Sequence, residues 1–143
     1  MSAVKTFIDT NVLIYAFTAD EPVKQEAALK CLDNCRPVLS TQVIKEFAHV
    51  LLKKTDLGPQ GIQETIRAIL EVVDLVDEEM ALVFTALDLY ARHAFSFYDS
   101  LIIAAALKAK CQALLSEDMQ NGQVIDGKLT IINPFEPKKG AAT

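Results

Sequence analysis

The chain opens with a short apolar strand that turns directly into a helix, and a carboxylate lies at the junction. Phe7 and Ile8 belong to an apolar run typical of a buried strand, and Asp9 ends this run. From Val12 onward the apolar residues recur at helical spacing. In α/β folds, the point where a strand passes into a helix lies at the carboxyl edge of the sheet, where ligands bind. This stretch therefore predicts an α/β fold with Asp9 at a functional edge.

The rest of the chain alternates between the patterns of strands and helices. Further strands are predicted at 37–39, 72–76, 113–115 and 129–132. Further helices are predicted at 22–32, 41–54, 61–70, 78–93 and 97–110. Ser40 or Thr41 is expected to cap the second of these helices and Asp77 the fourth, while the polar segment 117–128 is expected to be a loop. The alternation indicates an α/β three-layer sandwich with a mostly parallel central sheet flanked by helices.

The length and composition indicate one globular domain. The 143 residues allow a single domain with a real core, predicted at 1–135, followed by a flexible C-terminal tail at 136–143. Half of the residues are hydrophobic (51%), which excludes general disorder. The apolar runs are too short to span a membrane, no signal segment opens the chain, and the three cysteines suit a reducing compartment. We therefore expect a cytoplasmic protein without a membrane partner.

The charge of the chain is an ambiguous guide to its partners. The net charge of −5 argues against nucleic acid, which usually binds basic domains. That argument weakens if several acidic residues bind metal ions, because the ions offset their charge locally. The basic residues form no dense run, and a solvated face explains them better than an RNA-binding surface; they include Lys45, Lys53, Lys54, Arg92 and the tail lysines.

Three more carboxylates interrupt apolar patterns in the way that Asp9 does. Glu46 falls within the apolar stripe of its helix, three residues after Val43. Asp99 lies on the inner face of the alanine-rich helix, although its place in the first turn also gives a favourable contact with the helix dipole. Asp118 closely follows the strand 113–115, so it should reach the same sheet edge as Asp9. We therefore expect the four carboxylates to gather at one place.

Together the four carboxylates predict a site for a divalent metal ion. Converging carboxylates repel one another strongly unless protons or cations offset their charge. An all-oxygen ligand set suits Mg²⁺ or Mn²⁺ and does not suit zinc. A hard cation in an acidic pocket is typical of phosphoryl transfer, where it activates a water and stabilises charge on the phosphate. The candidate catalytic and metal-binding residues are therefore Asp9, Glu46, Asp99 and Asp118.

Four blocks of this sequence resemble the PIN-domain nucleases, particularly the VapC-like ribonucleases of bacterial toxin–antitoxin pairs. The blocks follow the order of the family and read FIDTNVLIY (7–15), QVIKEF (42–47), FYDSLIIAAA (97–106) and LLSED (114–118). The resemblance extends from Lys5 to Phe135. It implies a PIN-like sandwich and a metal-dependent endonuclease that hydrolyses single-stranded RNA. It also implies a small antitoxin protein as partner and a homodimer.

The resemblance further implies roles for individual residues. Asp9 and Asp99 would be the most direct metal ligands, and Glu46 would complete the site or position the water. Asp118 would hold a second ion or an ordered water. The polar residues that would steady these carboxylates are Thr10, Asn11 and Ser116. Because adjacent residues of an extended segment face opposite ways, only one of Glu117 and Asp118 should point inward, and we expect Asp118.

Parts of this sequence pattern are also found in proteins with other functions. A catalytically silent PIN-like module for protein interactions would keep the fold without nuclease activity, but the intact acidic quartet argues against it. A receiver domain needs a lysine that has no equivalent here, and a haloacid-dehalogenase-like phosphatase needs an aspartate where Asn11 stands. A di-iron site needs a second copy of the Glu46–His49 pattern, and zinc needs a second pair beside Cys31 and Cys35. These two cysteines are better explained as packing residues.

Overall fold

One mixed sheet forms the centre of the protein in the computed structural model, which describes residues 3–136. Its six strands are β1 (Lys5–Ile8), β2 (Arg36–Ser40), β3 (Asp74–Val76), β4 (Ala113–Leu115), β5 (Val124–Ile125) and β6 (Leu129–Ile132). Their spatial order is β3-β2-β1-β4-β6-β5, so β1 and β4 lie side by side in the middle. All neighbouring pairs are parallel except β5 and β6 at one edge.

Helices flank this sheet and complete the sandwich. They are α1 (Thr10–Phe17), α2 (Pro22–Asp33), α3 (Thr41–Lys54), α4 (Gly58–Leu70), α5 (Met80–Arg92) and α6 (Phe97–Lys108). Helix α1 packs against α2 and α3, α3 also packs against α4, and α5 packs against α6. The predicted three-layer α/β sandwich with a mostly parallel sheet is confirmed. Within residues 3–136, no helix combines the length and apolarity that a membrane span requires. Of the predicted tail 136–143, all but the first residue lies outside the described residues.

Serine side chains fix the starts of the two helices that carry Glu46 and Asp99. The hydroxyl oxygen of Ser40 accepts a hydrogen bond from the Val43 N–H at the start of α3. The hydroxyl oxygen of Ser96 accepts one from the Asp99 N–H at the start of α6. Each bond satisfies a backbone donor that has no partner inside its helix. Of the two residues predicted to cap α3, Ser40 is therefore the cap.

The prediction that Asp77 caps α5 is wrong. Glu79 occupies the N-cap position and its side chain makes no capping hydrogen bond. The reason lies in the preceding residue, because the backbone N–H of Glu78 donates to the hydroxyl of Thr41 on α3. This contact keeps the chain outside the helix until Glu79. Sequence patterns do not reveal it, since the two residues are far apart in the chain.

Other predicted boundaries differ by two or three residues. Helix α4 begins at Gly58 and not at Gly61, and α6 ends at Lys108 and not at residue 110. Strand β3 begins at Asp74 because the N–H of Val72 still donates to a carbonyl in the turn that ends α4. Element ends are where local patterns are weakest, and none of these changes moves a candidate site residue.

The segment 117–128 was predicted as a loop but contains strand β5. Asp126 and Gly127 form the turn between β5 and β6, and both have positive φ (52° and 65°). Such conformations are typical of Asp-Gly turns in β-hairpins. The guanidinium of Arg92, at the end of α5, donates to both carboxylate oxygens of Asp126. A two-residue strand is too short to show alternation, so only its turn was visible in the sequence.

Burial is most complete at the central strands and at α6. Phe7 of β1, Leu114 of β4 and Ile131 of β6 are fully buried. In α6, all seven residues from Ser100 to Ala106 are buried, so the middle of this helix is enclosed on every side. Small side chains suit such an enclosed helix, which explains its alanine-rich sequence. This packing holds the first turn of α6, and therefore Asp99, in a defined place.

We expect Leu114→Ala to lower the free energy of unfolding by about 3 kcal/mol, because it leaves a cavity in the hydrophobic core beside the central strand β4. Denaturant titration followed by circular dichroism measures this change. Leu52→Ala, at an exposed leucine on α3, is the matched control and should change stability by less than about 0.5 kcal/mol. Equal effects of the two variants would contradict the placement of the core.

Candidate active site

The site begins where the two central strands end side by side. Ile8 pairs with Leu115 in the register of β1 and β4, so the residues that follow them, Asp9 and Ser116, are neighbours. The Asp9 N–H donates to the Leu115 carbonyl (3.0 Å). The Ser116 hydroxyl donates to Asp9 Oδ2 (2.8 Å). Two strand ends far apart in the chain thus meet at one carboxylate.

Asp9 is held rigidly and lies almost out of contact with water. Its other oxygen, Oδ1, accepts a hydrogen bond from the Thr10 N–H (2.7 Å), which makes Asp9 the N-cap of α1. Only 7% of the residue is exposed. Burial raises the pKa of Asp9 to about 6; the hydrogen bonds from Ser116 and Thr10 oppose this rise, and the charges of Asp99 and Glu46 add to it.

Glu46 reaches the site from α3, but it is not buried within the apolar stripe as predicted. The stripe itself is present, with Val43, Phe47 and Leu51 buried. Glu46 is exposed at the edge of this stripe and faces the pocket. The hydroxyl of Thr10 donates to Glu46 Oε1 (2.8 Å). Glu46 lies three residues after Val43, and this spacing places it near the apolar stripe. The spacing does not show whether Glu46 lies at the buried centre of the stripe or on its exposed flank.

Asp99 is half-buried in the first turn of α6 and faces the same pocket. Burial raises the pKa of Asp99, the hydrogen bond from Ser96 opposes this, and the charges of Asp118 and Glu46 raise it further. The charge effects link Asp99 to both neighbours and link Asp9 to Asp99. The carboxylates are therefore close enough to influence one another, as the sequence predicted.

Of the adjacent pair Glu117 and Asp118, only Asp118 lines the pocket. Nδ2 of Asn11 donates a hydrogen bond to Asp118 Oδ2 (2.9 Å), and Oδ1 of Asn11 accepts one from the Glu117 N–H. The Glu117 side chain instead accepts hydrogen bonds from Lys24 and from the Tyr15 hydroxyl. Burial would raise the pKa of Glu117, but these two hydrogen bonds hold it below its ordinary value. The side chains of Thr10, Asn11 and Ser116 thus each donate a hydrogen bond to one of the four carboxylates.

The four carboxylates line one pocket of about 470 Å³ between α1, α3 and α6. The pocket is also lined by residues that the sequence did not mark as site residues: Gln42, Lys45, His49 and Tyr98. The sequence predicts a solvated position for Lys45 and gives no role to Tyr98. A larger cavity of about 620 Å³ lies near Lys24 and Phe135, but contains none of the four carboxylates. The smaller pocket is therefore the candidate active site.

The donor chemistry of this pocket fits a hard divalent cation. Its four acidic residues supply carboxylate oxygens, and none of the four forms an ion pair within residues 3–136. Other acids, such as Glu117 and Asp126, are paired with cationic side chains. In the same described range, no group of three or more His, Cys, Asp or Glu side chains is arranged so that it could already hold a metal ion. The ligand types fit, while a complete set of ligands is not preformed.

The sequence profile of the PIN domain family matches residues 6–121. The chain therefore belongs to the PIN domain family, as its four sequence blocks predicted. This membership rules out the receiver-domain and phosphatase interpretations. No curated protein matches the chain.

Solved structures with the same fold include proteins of toxin–antitoxin systems. A toxin–antitoxin complex from Klebsiella pneumoniae matches with a TM-score of 0.71 and 19% identity, over 92% of this chain and 99% of that chain. VapC20 from Mycobacterium tuberculosis, described as a toxin that cleaves the sarcin–ricin loop, matches with a TM-score of 0.63 and 19% identity, over 76% and 86%. VapBC2 from Rickettsia felis, bound to a fragment of its promoter DNA, matches with a TM-score of 0.65 and 15% identity, over 91% and 100%. At these identities the matches show a shared fold.

We expect the stability of the metal-free protein to depend on the ionisation of Asp9. Its pKa is raised to about 6 in the folded state, so between about pH 4 and pH 6 the folded protein keeps a proton that the unfolded chain releases. The protonated Asp9 carboxyl therefore stabilises the fold at low pH. This stabilisation is lost as the pH rises through the pKa that Asp9 has in the folded protein. Asp9→Asn removes the titration, so its stability relative to wild type should rise by about 2 kcal/mol from pH 4.5 to pH 7.5.

Denaturant titrations of both proteins in excess chelator, at several pH values, measure this difference. Asp56→Asn, at an exposed carboxylate outside the pocket, is the control and should show no such trend. A difference between wild type and Asp9→Asn that stays constant with pH would contradict the burial of an unpaired charge.

Proposed function

We propose that this protein is a metal-dependent endoribonuclease that hydrolyses phosphodiester bonds of single-stranded RNA, and that it is the toxin of a toxin–antitoxin pair. One observation carries the proposal: four carboxylates from four separate parts of the chain line one pocket without cationic partners among the described residues. Membership of the PIN domain family supports it. So does the fold shared with VapC20, a toxin described as cleaving the sarcin–ricin loop.

The cofactor in this proposal is Mg²⁺ or Mn²⁺. Asp9 and Asp99 would be its most direct ligands, with Glu46 and Asp118 completing the site. Bound there, the cation would lower the pKa of a water and stabilise negative charge on the phosphate and on the leaving oxygen. Carboxylate oxygens are the ligands that these ions prefer.

The residues of the chain would position the reacting groups. Ser116 and the Thr10 N–H fix both oxygens of Asp9, so this carboxylate cannot rotate away from the pocket. Thr10 holds only one oxygen of Glu46, which leaves Oε2 to accept the proton of an attacking water. As the water oxygen bonds to phosphorus, the ester bond on the opposite side breaks and the leaving oxygen takes up a proton. Asn11 keeps Asp118 turned toward the same pocket.

The proposed protein partners are a small antitoxin and a second copy of this chain. Two structures that share the fold are toxin–antitoxin complexes, from Klebsiella pneumoniae and Rickettsia felis. Helix α5 also carries exposed apolar side chains at helical spacing, at Met80, Phe84 and Leu87. Such a face is typical of protein contacts. Multi-angle light scattering, with and without coexpressed antitoxin, distinguishes monomer, homodimer and complex.

We expect the purified protein, without antitoxin, to cleave single-stranded RNA in Mg²⁺ or Mn²⁺ and to lose this activity in excess EDTA. Asp99→Asn should lower the cleavage rate about 100-fold or more, because it removes a charge on which metal binding depends. The matched control is Asp56→Asn, which changes an exposed carboxylate outside the pocket. The measurement uses end-labelled RNAs of several sequences, resolved on gels.

The alternative is a catalytically silent PIN-like interaction module. Intact single-stranded and structured RNAs after incubation in both metals, with the protein shown to be folded, would favour that alternative. Equal cleavage by wild type and Asp99→Asn would point to a contaminating nuclease and would also contradict the proposal.

A further inference from the structure

Tyr98 lies at the rim of the candidate active site with 64% of its surface exposed. It directly precedes Asp99 in the first turn of α6 and lines the same pocket as the four carboxylates. With this exposure its ring contributes little to the core. The ring is therefore available to a ligand that enters the pocket.

Contacts with neighbouring residues hold Tyr98 in place before any ligand binds. The ring of Phe97 lies edge-on to it, with 5.5 Å between the ring centroids and 73° between their planes. Phe97 itself packs against the hydrophobic core. The side-chain amide of Gln42 donates to the Tyr98 carbonyl (3.4 Å), which ties the start of α6 to α3. The Gln42 hydrogen bond fixes the main chain at Tyr98 and Phe97 supports the ring from one side, which reduces the conformational entropy that the ring loses when it binds a ligand.

Basic side chains of α3 line the same pocket. Lys45 and His49 are exposed there, one helical turn apart. Lys45 forms no ion pair with any residue of the described chain. The pocket thus combines carboxylates, a cationic group suited to a phosphate, and an aromatic ring suited to a base. Cationic groups and exposed aromatic rings together are typical of surfaces that bind single-stranded nucleic acids.

We propose that Tyr98 stacks on the base of the nucleotide next to the phosphate that is cleaved, and that this contact makes the enzyme selective for unpaired RNA. A base inside a duplex is already stacked on its neighbours, so only an unpaired base can turn toward the ring. Because every base has a stacking face, Tyr98 selects for strandedness more than for sequence. This inference rests on the proposed function, since RNA is taken as the substrate.

The direct test measures stacking and not only activity. A short single-stranded RNA carries the fluorescent base 2-aminopurine, and an Asp9→Asn background prevents cleavage. We expect the 2-aminopurine fluorescence to be quenched when the RNA binds to the protein that keeps Tyr98, and also when it binds to the Tyr98→Phe variant. Tyr98→Ala should lose the quenching and bind the RNA about 5- to 150-fold more weakly, the range measured for removing one base–aromatic stack. Tyr90→Ala removes an exposed tyrosine on α5 that does not line the pocket, and should behave like the unaltered protein.

Cleavage by the active enzyme gives a second readout. With Asp9 intact, Tyr98→Ala should raise KM for single-stranded RNA and leave kcat little changed. The variant should also prefer single-stranded over duplex RNA less strongly than the wild type does. Tyr98→Phe should restore both, and thermal unfolding of each variant shows whether it is folded.

The outcomes separate this inference from the proposed function. If the wild type cleaves RNA, and Tyr98→Ala quenches 2-aminopurine, binds RNA and cleaves RNA as well as the wild type does, the stacking proposal is wrong. The nuclease proposal then stands. If Tyr98→Ala loses only the binding of a protein partner, Tyr98 belongs to a protein interface and the stacking proposal is equally wrong. If wild type neither binds nor cleaves RNA, both proposals fail.

Discussion

The hydrogen bond from Ser116 to Asp9 joins the ends of the two central strands, and the rest of the site is built around it. Because β1 and β4 are adjacent and parallel, their carboxyl ends bring residues 107 positions apart into contact. Thr10 extends the contact in two directions, through its N–H to Asp9 and through its hydroxyl to Glu46. One strand pair thus fixes the carboxylate at the centre of the site and links it to α3.

Charge is distributed unevenly around this framework. Some acids away from the pocket are paired with cations, as Glu117 is with Lys24 and Asp126 is with Arg92. Within residues 3–136 the four pocket carboxylates have no such partner, and the pKa values of Asp9 and Asp99 are raised by burial and by their neighbours. Folding therefore places negative charges together at some cost in stability. Such an arrangement is typical of a site whose electrostatic balance depends on a bound cation.

Much of the fold could be predicted from local patterns, because strands and helices alternate and a serine cap, Ser40, marks the start of α3. Asp9 and Asp118 could be placed at one edge, since each follows a predicted strand. What could not be predicted depends on contacts across the chain. Glu46 lies on the flank of its stripe because the pocket opens there. Glu117 turns away because Lys24 and Tyr15 lie behind it. The sequence around Tyr98 did not predict a role for it, since an exposed aromatic residue can be assigned to the site only once the pocket beside it is known. Strand β5 was too short to show a pattern.

The most direct test of this account is a calorimetric titration of the folded, metal-free protein with Mn²⁺. We expect saturable binding near neutral pH that is strongly weakened in Asp9→Asn and in Asp99→Asn. We also expect proton release on binding near pH 6, because the raised pKa leaves Asp9 partly protonated there. Absence of saturable binding to the wild-type protein, or binding unaffected by loss of either carboxylate, would contradict the claim that these residues form one cation site.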